Sequence, residues 1–169
     1  MIIDLASLGR NPKPVTCSFK PDAIDLDEGT RITKDITFSG EASRDGNKAF
    51  IRGRLDGAVE IDCFRCLEPV AKKIDIAFED VFVDAADEPA DDDIELGAEE
   101  LDESLISGDE IDMADVVREQ LILATTETVL CKQDCKGLCP KCGENRNLID
   151  CKCEENEIDP RWAALKNLN

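Results

Sequence analysis

Apolar and polar residues alternate in two runs near the start of the chain. Ile32, Ile36 and Phe38 share one parity of the first run, and Ala49, Ile51 and Leu55 share one parity of the second. A period of two indicates half-buried β-strands. A third run, residues 70–83, follows Pro69 and has the same character. We expect this half of the chain to form a small, mostly antiparallel sheet.

Two short segments carry residues that favour turns. Residues 43–47 read Ser-Arg-Asp-Gly-Asn, and Asp56-Gly57 separates residues 50–55 from residues 58–63. Asp-Gly pairs adopt the positive φ angles of tight hairpin turns. The sequence therefore predicts a hairpin in which the strands on either side of Asp56-Gly57 pair with each other.

The hydrophobic period changes after residue 111. Apolar residues now recur at steps of three and four, at Met113, Val116, Val117, Leu121 and Ala124. This spacing predicts one amphipathic helix, with Asp112 placed to cap it. A second, short helix is expected to begin at Asp159-Pro160 and to present Trp162, Leu165 and Leu168.

Acidic residues are concentrated in one stretch. The chain has 169 residues, 39 of them acidic and 20 basic, which gives a net charge of -19. Between Glu79 and Asp115 there are 17 acidic residues and no basic one. Residues 85–103 also lack a hydrophobic period, so we expect little regular structure there. Such a segment is either a solvated loop or a tether for a basic partner.

Three cations, Lys48, Arg52 and Arg54, fall on the parity opposite the apolar residues of the second run. They are expected to stand together on the exposed face of one strand. Two interpretations are open: a stripe that contacts nucleic-acid phosphates, or the ordinary solvent face of a half-buried strand.

The chain contains no histidine. Catalysis by a Ser-His-Asp or Cys-His set and a mixed Cys/His metal site are therefore excluded. Residues 1–5 lack the basic region and long apolar stretch of a secretory signal, and we expect a cytoplasmic protein with no membrane contact. Because thiols stay reduced in the cytosol, the nine cysteines favour metal binding over disulfides.

The string Cys139-Pro-Lys-Cys142-Gly143 carries the strongest chemical signal. Two sulfurs at this spacing can reach one tetrahedral ion, and the glycine permits the tight backbone path. The remaining ligands are open among Cys131, Cys135, Cys151 and Cys153. Our first choice is one ligand from each of these flanking pairs. Four thiolates leave Zn²⁺ no open position, so the site is expected to be structural.

Cys63 and Cys66 admit three interpretations: a redox pair, half of a second metal site, or two buried core thiols. A redox motif of this spacing normally opens a helix, whereas Pro69 and a strand-like run follow here. Cys17 stands alone.

The cysteine-rich segment 131–153 contains little apolar material, with Leu138, Leu148 and Ile149 as its large aliphatic residues. Without metal we expect it to be disordered. Its basic residues Lys136, Lys141 and Arg146 are candidate RNA contacts. The three strand cations are candidates for the same role.

These features together predict an α+β fold. It combines a small, mostly antiparallel β-sheet domain, an amphipathic helix and a zinc-ribbon-like module. The expected divisions are a β-rich domain with the first cysteine pair at 1–83, an acidic flexible segment at 84–110, the helix and its connector at 111–130, and the cysteine-rich module with a short C-terminal helix at 131–169.

Four strings of the sequence form a wider pattern: Ile61–Val70, Ile111–Leu121, Leu130–Gly143 and Ile158–Arg161. Together they resemble the bacterial YceD family, described as large ribosomal RNA subunit accumulation protein. The resemblance extends from about Arg31 to the end of the chain. One departure is Thr125–Thr128, where relatives are expected to have a more apolar segment with proline.

The resemblance implies a cytoplasmic, non-enzymatic role in the synthesis, processing or stability of 23S ribosomal RNA. The implied partner is ribosomal RNA or a pre-ribosomal particle, with no small-molecule substrate. As a hypothesis, the basic residues contact RNA phosphates, while the acidic segment holds a basic ribosomal protein or screens the RNA face. Two competing functions are a protein-interaction adaptor that works through the acidic segment and a thiol oxidoreductase that uses Cys63 or Cys66.

Overall fold

A computed structural model describes residues 1–84 and 103–153 of the chain. Within these residues the structure is mostly sheet with one α-helix. The elements in chain order are β1 (Ile2–Asp4), a 3-10 helix (Leu5–Ser7), β2 (Lys13–Phe19), β3 (Thr30–Asp45), β4 (Lys48–Asp62), β5 (Pro69–Asp84), β6 (Glu103–Ile106), β7 (Glu110–Asp112) and α1 (Met113–Thr125).

The main sheet has five strands in the order β2-β3-β4-β5-β6. Strands β2 to β5 pair with antiparallel neighbours, whereas β6 lies parallel to β5. Strands β1 and β7 form a separate antiparallel pair, in which Ile3 lies opposite Ile111. The predicted mostly antiparallel sheet is confirmed.

The alternating pattern correctly identifies the face that the sheet buries. The six apolar residues that carry the pattern all lie in one core: Ile32, Ile36, Phe38, Ala49, Ile51 and Leu55. The predicted helix is also confirmed, and it buries Met113, Val116, Val117 and Leu121. Its cap forms because the Asp112 carboxylate accepts a 2.9 Å hydrogen bond from the Ala114 amide. In the described part of the chain, no helix combines the length and apolar character that crossing a membrane requires.

The predicted hairpin at Asp56-Gly57 is wrong. Strand β4 runs uninterrupted through both residues and pairs with β3 on one side and β5 on the other. Gly57 permits a close approach instead of a turn, because a Cβ there would lie 2.4 Å from Cδ1 of Ile36. The hairpin that does form turns at Gly46, with a φ of 64°, inside the other predicted turn.

Parts of the acidic segment form strands. The expectation of a flexible segment over residues 84–110 is wrong for Glu103–Ile106, which forms β6, and for Glu110, which begins β7. Ile106 and Ile111 pack in the core, and Glu103 forms an ion pair with Lys48 of β4, so these contacts anchor both strands. Residues 85–102 and the helix expected from Asp159 lie outside the described residues.

Two glycines let a phenylalanine ring lie close against the sheet. A Cβ at Gly53 would stand 2.4 Å from Cε2 of Phe38, and a Cβ at Gly40 would stand 2.7 Å from Cζ of the same ring. Phe38 is fully buried, and its ring centroid lies 5.5 Å from that of Phe78. The packing at the centre of the sheet therefore requires positions without side chains.

Replacing Gly53 with alanine is expected to lower the free energy of unfolding by about 1–3 kcal/mol, because the added methyl group forces Phe38 or the backbone to move. Gly9→Ala is the control, since a Cβ at Gly9 meets nothing within 4 Å. The control should change the free energy by less than about 0.5 kcal/mol. Urea unfolding followed by circular dichroism measures both, and equal destabilisation by the two variants would contradict this account of the core.

Candidate metal centres

The turn between β4 and β5 and the segment after α1 bring four cysteines together. Cys63, Cys66, Cys131 and Cys135, hereafter the first cluster, have sulfur atoms that all lie within 4.8 Å of one another. The Cys66–Cys131 sulfurs are 3.5 Å apart and the Cys63–Cys135 sulfurs 3.8 Å apart. Sulfurs bonded at ~2.3 Å to a tetrahedral ion stand about 3.8 Å apart. The first cluster therefore has the dimensions of a four-sulfur metal site.

A second cluster lies further along the chain. Cys139, Cys142, Cys151 and Cys153 also have sulfur atoms within 4.8 Å of one another. Cys139 is buried, Cys142 is exposed, and the other two are half-buried. The first cluster is more enclosed, since all of its cysteines except Cys131 are buried.

The structure does not use the ligand set that was our first choice. Cys139 and Cys142 share their cluster with Cys151 and Cys153, which follow them in the chain. Cys131 and Cys135, which precede them, belong to the first cluster. The reason is a contact between distant segments: the Phe64 amide donates a 2.9 Å hydrogen bond to the Val129 carbonyl, which brings the segment after α1 to the β4–β5 turn. Cys17 lies in β2 and belongs to neither cluster.

The second cluster contains the tight turn expected at its first two cysteines. The Gly143 amide donates to the Cys139 carbonyl at 2.8 Å, and the Cys139 amide donates to the Glu144 carbonyl at 2.8 Å. Gly143 has a φ of 75°, a left-handed conformation that glycine adopts without steric cost. The local sequence therefore holds two sulfurs on one side of the turn.

The first cluster contains a turn with the same hydrogen bonds. The Leu67 amide donates to the Cys63 carbonyl at 2.9 Å, and the Cys63 amide donates to the Glu68 carbonyl at 2.8 Å. Leu67 has a φ of 60° and is the one non-glycine residue with positive φ in the described part of the chain. Because a side chain makes this conformation unfavourable by about 1–2 kcal/mol, the surrounding contacts must hold it.

Backbone amides strongly lower the pKa of one sulfur in each cluster. Burial alone would raise the pKa of Cys63, but the amides of Cys131, Arg65 and Cys66 donate to its sulfur and lower the pKa to about 6. The Cys131 amide lies 3.3 Å from that sulfur. In the second cluster, hydrogen bonds from the amides of Cys142 and Lys141 lower the pKa of Cys139 to about 6. Both shifts favour the thiolate, the form that binds metal.

Other sulfurs of the clusters resist ionisation when no cation is present. Burial and the neighbouring sulfurs raise the pKa of Cys131 to about 12. The sulfur of Cys142, together with burial, raises the pKa of Cys153 to about 12. Four thiolates in one cluster therefore need a bound cation to offset their charge, so the donor set fits a metal ion.

Further hydrogen bonds hold the cysteine-rich segment against the β4–β5 turn. The Leu138 amide donates to the Arg65 carbonyl at 3.0 Å, and Nη1 of Arg65 donates to the Cys135 carbonyl at 3.0 Å. Nδ2 of Asn147 lies 3.3 Å from the sulfur of Cys135. Such outer contacts orient metal ligands. The expected C-terminal module is therefore attached to the sheet through the first cluster.

The three strand cations lie on the polar face of β4, as expected, but each meets a carboxylate. The ion pairs are Lys48–Glu103, Arg52–Glu79 and Arg54–Asp75. Arg52 lies directly opposite Glu79 in the strand register, and their groups approach to 2.6 Å. A hydrogen bond from Arg52 lowers the pKa of Glu79. These cations stabilise the sheet face and are poorly suited to binding phosphates.

The basic residues of the cysteine-rich segment are placed differently. Lys136 and Lys141 are exposed, and neither forms an ion pair with another described residue. Arg146 is half-buried, and its amide donates to the Gly137 carbonyl at 2.9 Å. Both lysines therefore place an exposed positive charge on the cysteine-rich segment.

Sequence reasoning missed the equivalence of the two turns, although a signal was present. The strings Cys63-Phe-Arg-Cys66-Leu-Glu68 and Cys139-Pro-Lys-Cys142-Gly-Glu144 share both cysteines and the glutamate. Leucine in place of glycine hides the repeat, because leucine rarely adopts positive φ. No comparable signal marks Asn147 as a neighbour of the first cluster.

The fold and the sites define a small β-sheet protein whose C-terminal segment is organised by two four-cysteine clusters that could hold metal ions. The family profile of the large ribosomal RNA subunit accumulation protein YceD matches residues 51–169 of the chain. The chain therefore belongs to the YceD family, as the resemblance implies.

Several proteins are similar to this one over most of the chain. An uncharacterized protein of Mycobacterium tuberculosis is 28% identical over 181 residues, covering 98% of this chain and 79% of its own length. YlbN of Bacillus subtilis is 24% identical over 155 residues, covering 87% and 85%. An Arabidopsis thaliana chloroplast protein, named large ribosomal RNA subunit accumulation protein YCED homolog 1, is 28% identical over 173 residues, covering 83% and 53%. No solved structure is significantly similar to the chain.

The two clusters predict two bound metal ions per chain. Cys135→Ser should remove the ion of the first cluster and Cys142→Ser the ion of the second, because each substitution leaves three thiolates. Cys17→Ser is the matched control and should retain both ions. Native mass spectrometry with elemental analysis counts them. A wild-type chain that binds one ion or none, or a Cys17→Ser variant that loses one, would contradict the assignment.

Proposed function

We propose that this protein is a non-enzymatic factor in the accumulation of large-subunit ribosomal RNA, acting in the cytoplasm in the synthesis, processing or stability of 23S rRNA. The family description and the name of the chloroplast relative support this role. The observation that supports the mechanism is the pair of four-sulfur clusters, whose donor sets can hold metal ions and so fix the shape of the cysteine-rich surface. The partner is ribosomal RNA or a pre-ribosomal particle, and the role requires no small-molecule substrate.

Zn²⁺ is the ion that we assign to both clusters. Four sulfurs in tetrahedral arrangement suit zinc or iron, and zinc requires no redox chemistry. Four thiolates close the coordination shell, so each ion is structural and leaves no position for a reacting water. Visible absorption by the purified protein would indicate iron, since zinc is colourless.

The closed clusters argue against catalysis. A thiol oxidoreductase needs a low-pKa sulfur that its substrate can reach. The side chain of Cys63 is 0% exposed and that of Cys66 is 4% exposed, so a protein disulfide has no access to either. The lowered pKa of Cys63 therefore suits metal binding better than thiol exchange. Rapid alkylation of either cysteine in the metal-loaded protein would favour the oxidoreductase instead.

We assign RNA contact to the cysteine-rich segment, through Lys136, Lys141 and Arg146. The two lysines are exposed and form no ion pair with described residues, whereas the strand cations are neutralised by carboxylates. A lysine that binds a phosphate displaces counterions, so the contact weakens as salt rises. The metal sites support this role by fixing the backbone between the lysines.

The second candidate is an adaptor that holds a basic ribosomal protein through the acidic segment. Its support is the charge pattern, with 17 acidic residues and no basic one between Glu79 and Asp115. Crosslinking in cells followed by nuclease treatment separates the two functions. Direct RNA contact leaves crosslinked RNA fragments on the protein, whereas an adaptor retains ribosomal proteins alone.

Replacing Lys136 and Lys141 together with alanine is expected to weaken binding of a 23S rRNA fragment by about tenfold at low salt. The slope of log affinity against log salt should fall by about 1.5, because two phosphate contacts are lost. Fluorescence anisotropy over a salt series measures both quantities.

The matched control, Arg52→Ala/Arg54→Ala, removes the same charge from the sheet face and should leave the slope unchanged. A larger loss of affinity in this control than in the lysine variant would contradict the assignment of RNA contact to the cysteine-rich segment.

A further inference from the structure

A cleft lies directly beside the first cluster. Its volume is about 530 Å³, within the ~300–1,000 Å³ range of ligand pockets. Its walls are residues 28–30, the end of β4 with Cys63, the turn residues Phe64 and Leu67, and the connector 125–129. The metal clusters use one of these residues, Cys63, and the proposed RNA contacts use none.

The charged side chains that line the cleft are all acidic. Glu28, Asp62 and Glu127 contribute carboxylates, and no described lysine or arginine lines the cleft. Asp62 accepts a 3.1 Å hydrogen bond from Arg31, and Glu127 lies 3.6 Å from Lys72, but neither cation lines the cleft. Glu28 forms no ion pair with a described residue. Arg31 and Lys72 offset part of the charge of Asp62 and Glu127, so Glu28 is the carboxylate most available to a cation. The side chains that line the cleft still carry only negative charge, which favours a cation over a phosphate.

Two large apolar side chains stand exposed at the cleft. Phe64 is 76% exposed and Leu67 is 60% exposed. The turn imposes their positions, because Leu67 has a φ of 60° and the Phe64 amide is bonded to the Val129 carbonyl. An exposed aromatic residue beside a polar rim is a common anchor of protein interfaces. These two side chains offer apolar contact next to the carboxylates.

We propose that this cleft binds a cationic segment of a protein partner. Lysine or arginine side chains of the segment face Glu28, Asp62 and Glu127, and an apolar side chain packs against Phe64 and Leu67. The site differs from the acidic segment 84–110, the sequence-based candidate for holding a basic protein. RNA fits the cleft poorly, because its phosphates would meet three carboxylates. The inference goes beyond the proposed role in rRNA accumulation and does not depend on it.

The test uses the metal-loaded, full-length protein and a short fluorescein-labelled peptide in which lysine and leucine alternate. A lysine-serine peptide, a glutamate-leucine peptide and oligouridine RNA are the comparison probes. Fluorescence anisotropy should show that the lysine-leucine peptide binds about tenfold more tightly than any of them at this cleft. Its affinity should fall as salt rises, because exposed charges are screened.

Matched variants locate the binding. Glu28→Gln/Glu127→Gln removes two carboxylates and should weaken peptide binding about tenfold, whereas Asp22→Asn/Asp109→Asn removes the same charge away from the cleft and should not. Phe64→Ser should also weaken binding about tenfold. Its control is Leu123→Ser, at a residue that is 64% exposed on α1. Elemental analysis verifies that each variant keeps its metal.

Equal affinities of the cleft variants and their controls would overturn the proposal. Equal binding of the lysine-serine and lysine-leucine peptides would also overturn it, because the apolar contact would then have no role. Oligouridine that competes with the peptide and loses affinity in Phe64→Ser would assign the cleft to nucleic acid instead. Loss of RNA binding in the lysine variant with peptide binding unchanged would support two separate sites.

Discussion

The first cluster joins parts of the chain that lie 65 and 72 residues apart in sequence. It fixes the β4–β5 turn against the segment that follows α1, and it holds Leu67 in a conformation that a leucine otherwise avoids. Little apolar burial assists it, since the hydrophobic residues packed against it are Val70, Leu130 and Leu138. Leu148 and Ile149 are exposed. Under the proposed metal assignment, metal–sulfur bonds, worth about 10–16 kcal/mol in small zinc modules, take the role that hydrophobic burial has in the sheet.

Local periodicity was sufficient to predict the buried face of the sheet and the helix, because Ile36, Ile51 and Val117 follow the period of their own element. It failed where contacts between residues far apart in sequence determine the structure. The turn signal at Asp56-Gly57 is overridden by the packing of Ile36 and by pairing of β4 on both sides. Strand β6 forms because it pairs in parallel with β5, and the hydrophobic pattern of its own residues does not predict this pairing. The cysteines were identified by spacing, but their division between two clusters depends on which segment meets the β4–β5 turn.

The charge distribution separates two surfaces on one protein. Cations on the sheet face are matched by carboxylates of β5 and β6, so they contribute to the fold. The proposed RNA contacts are exposed lysines of the cysteine-rich segment, whereas the charged residues that line the cleft, Glu28 and Glu127 among them, are acidic. Both surfaces are built on backbone held by the clusters. Under the two proposals made above, the first surface meets RNA and the second meets a cationic segment of a protein.

Hydrogen–deuterium exchange of the metal-loaded and metal-stripped protein tests most directly whether metal–sulfur bonds hold the cysteine-rich segment to the sheet. The account predicts that stripping the ions abolishes protection of the amides of Phe64, Leu138 and Cys139, whose partners are Val129, Arg65 and Glu144. Amides within β3 and β4 should stay protected, because the hydrophobic core is independent of metal. Unchanged protection of Leu138 and Cys139 after complete metal removal would contradict the account.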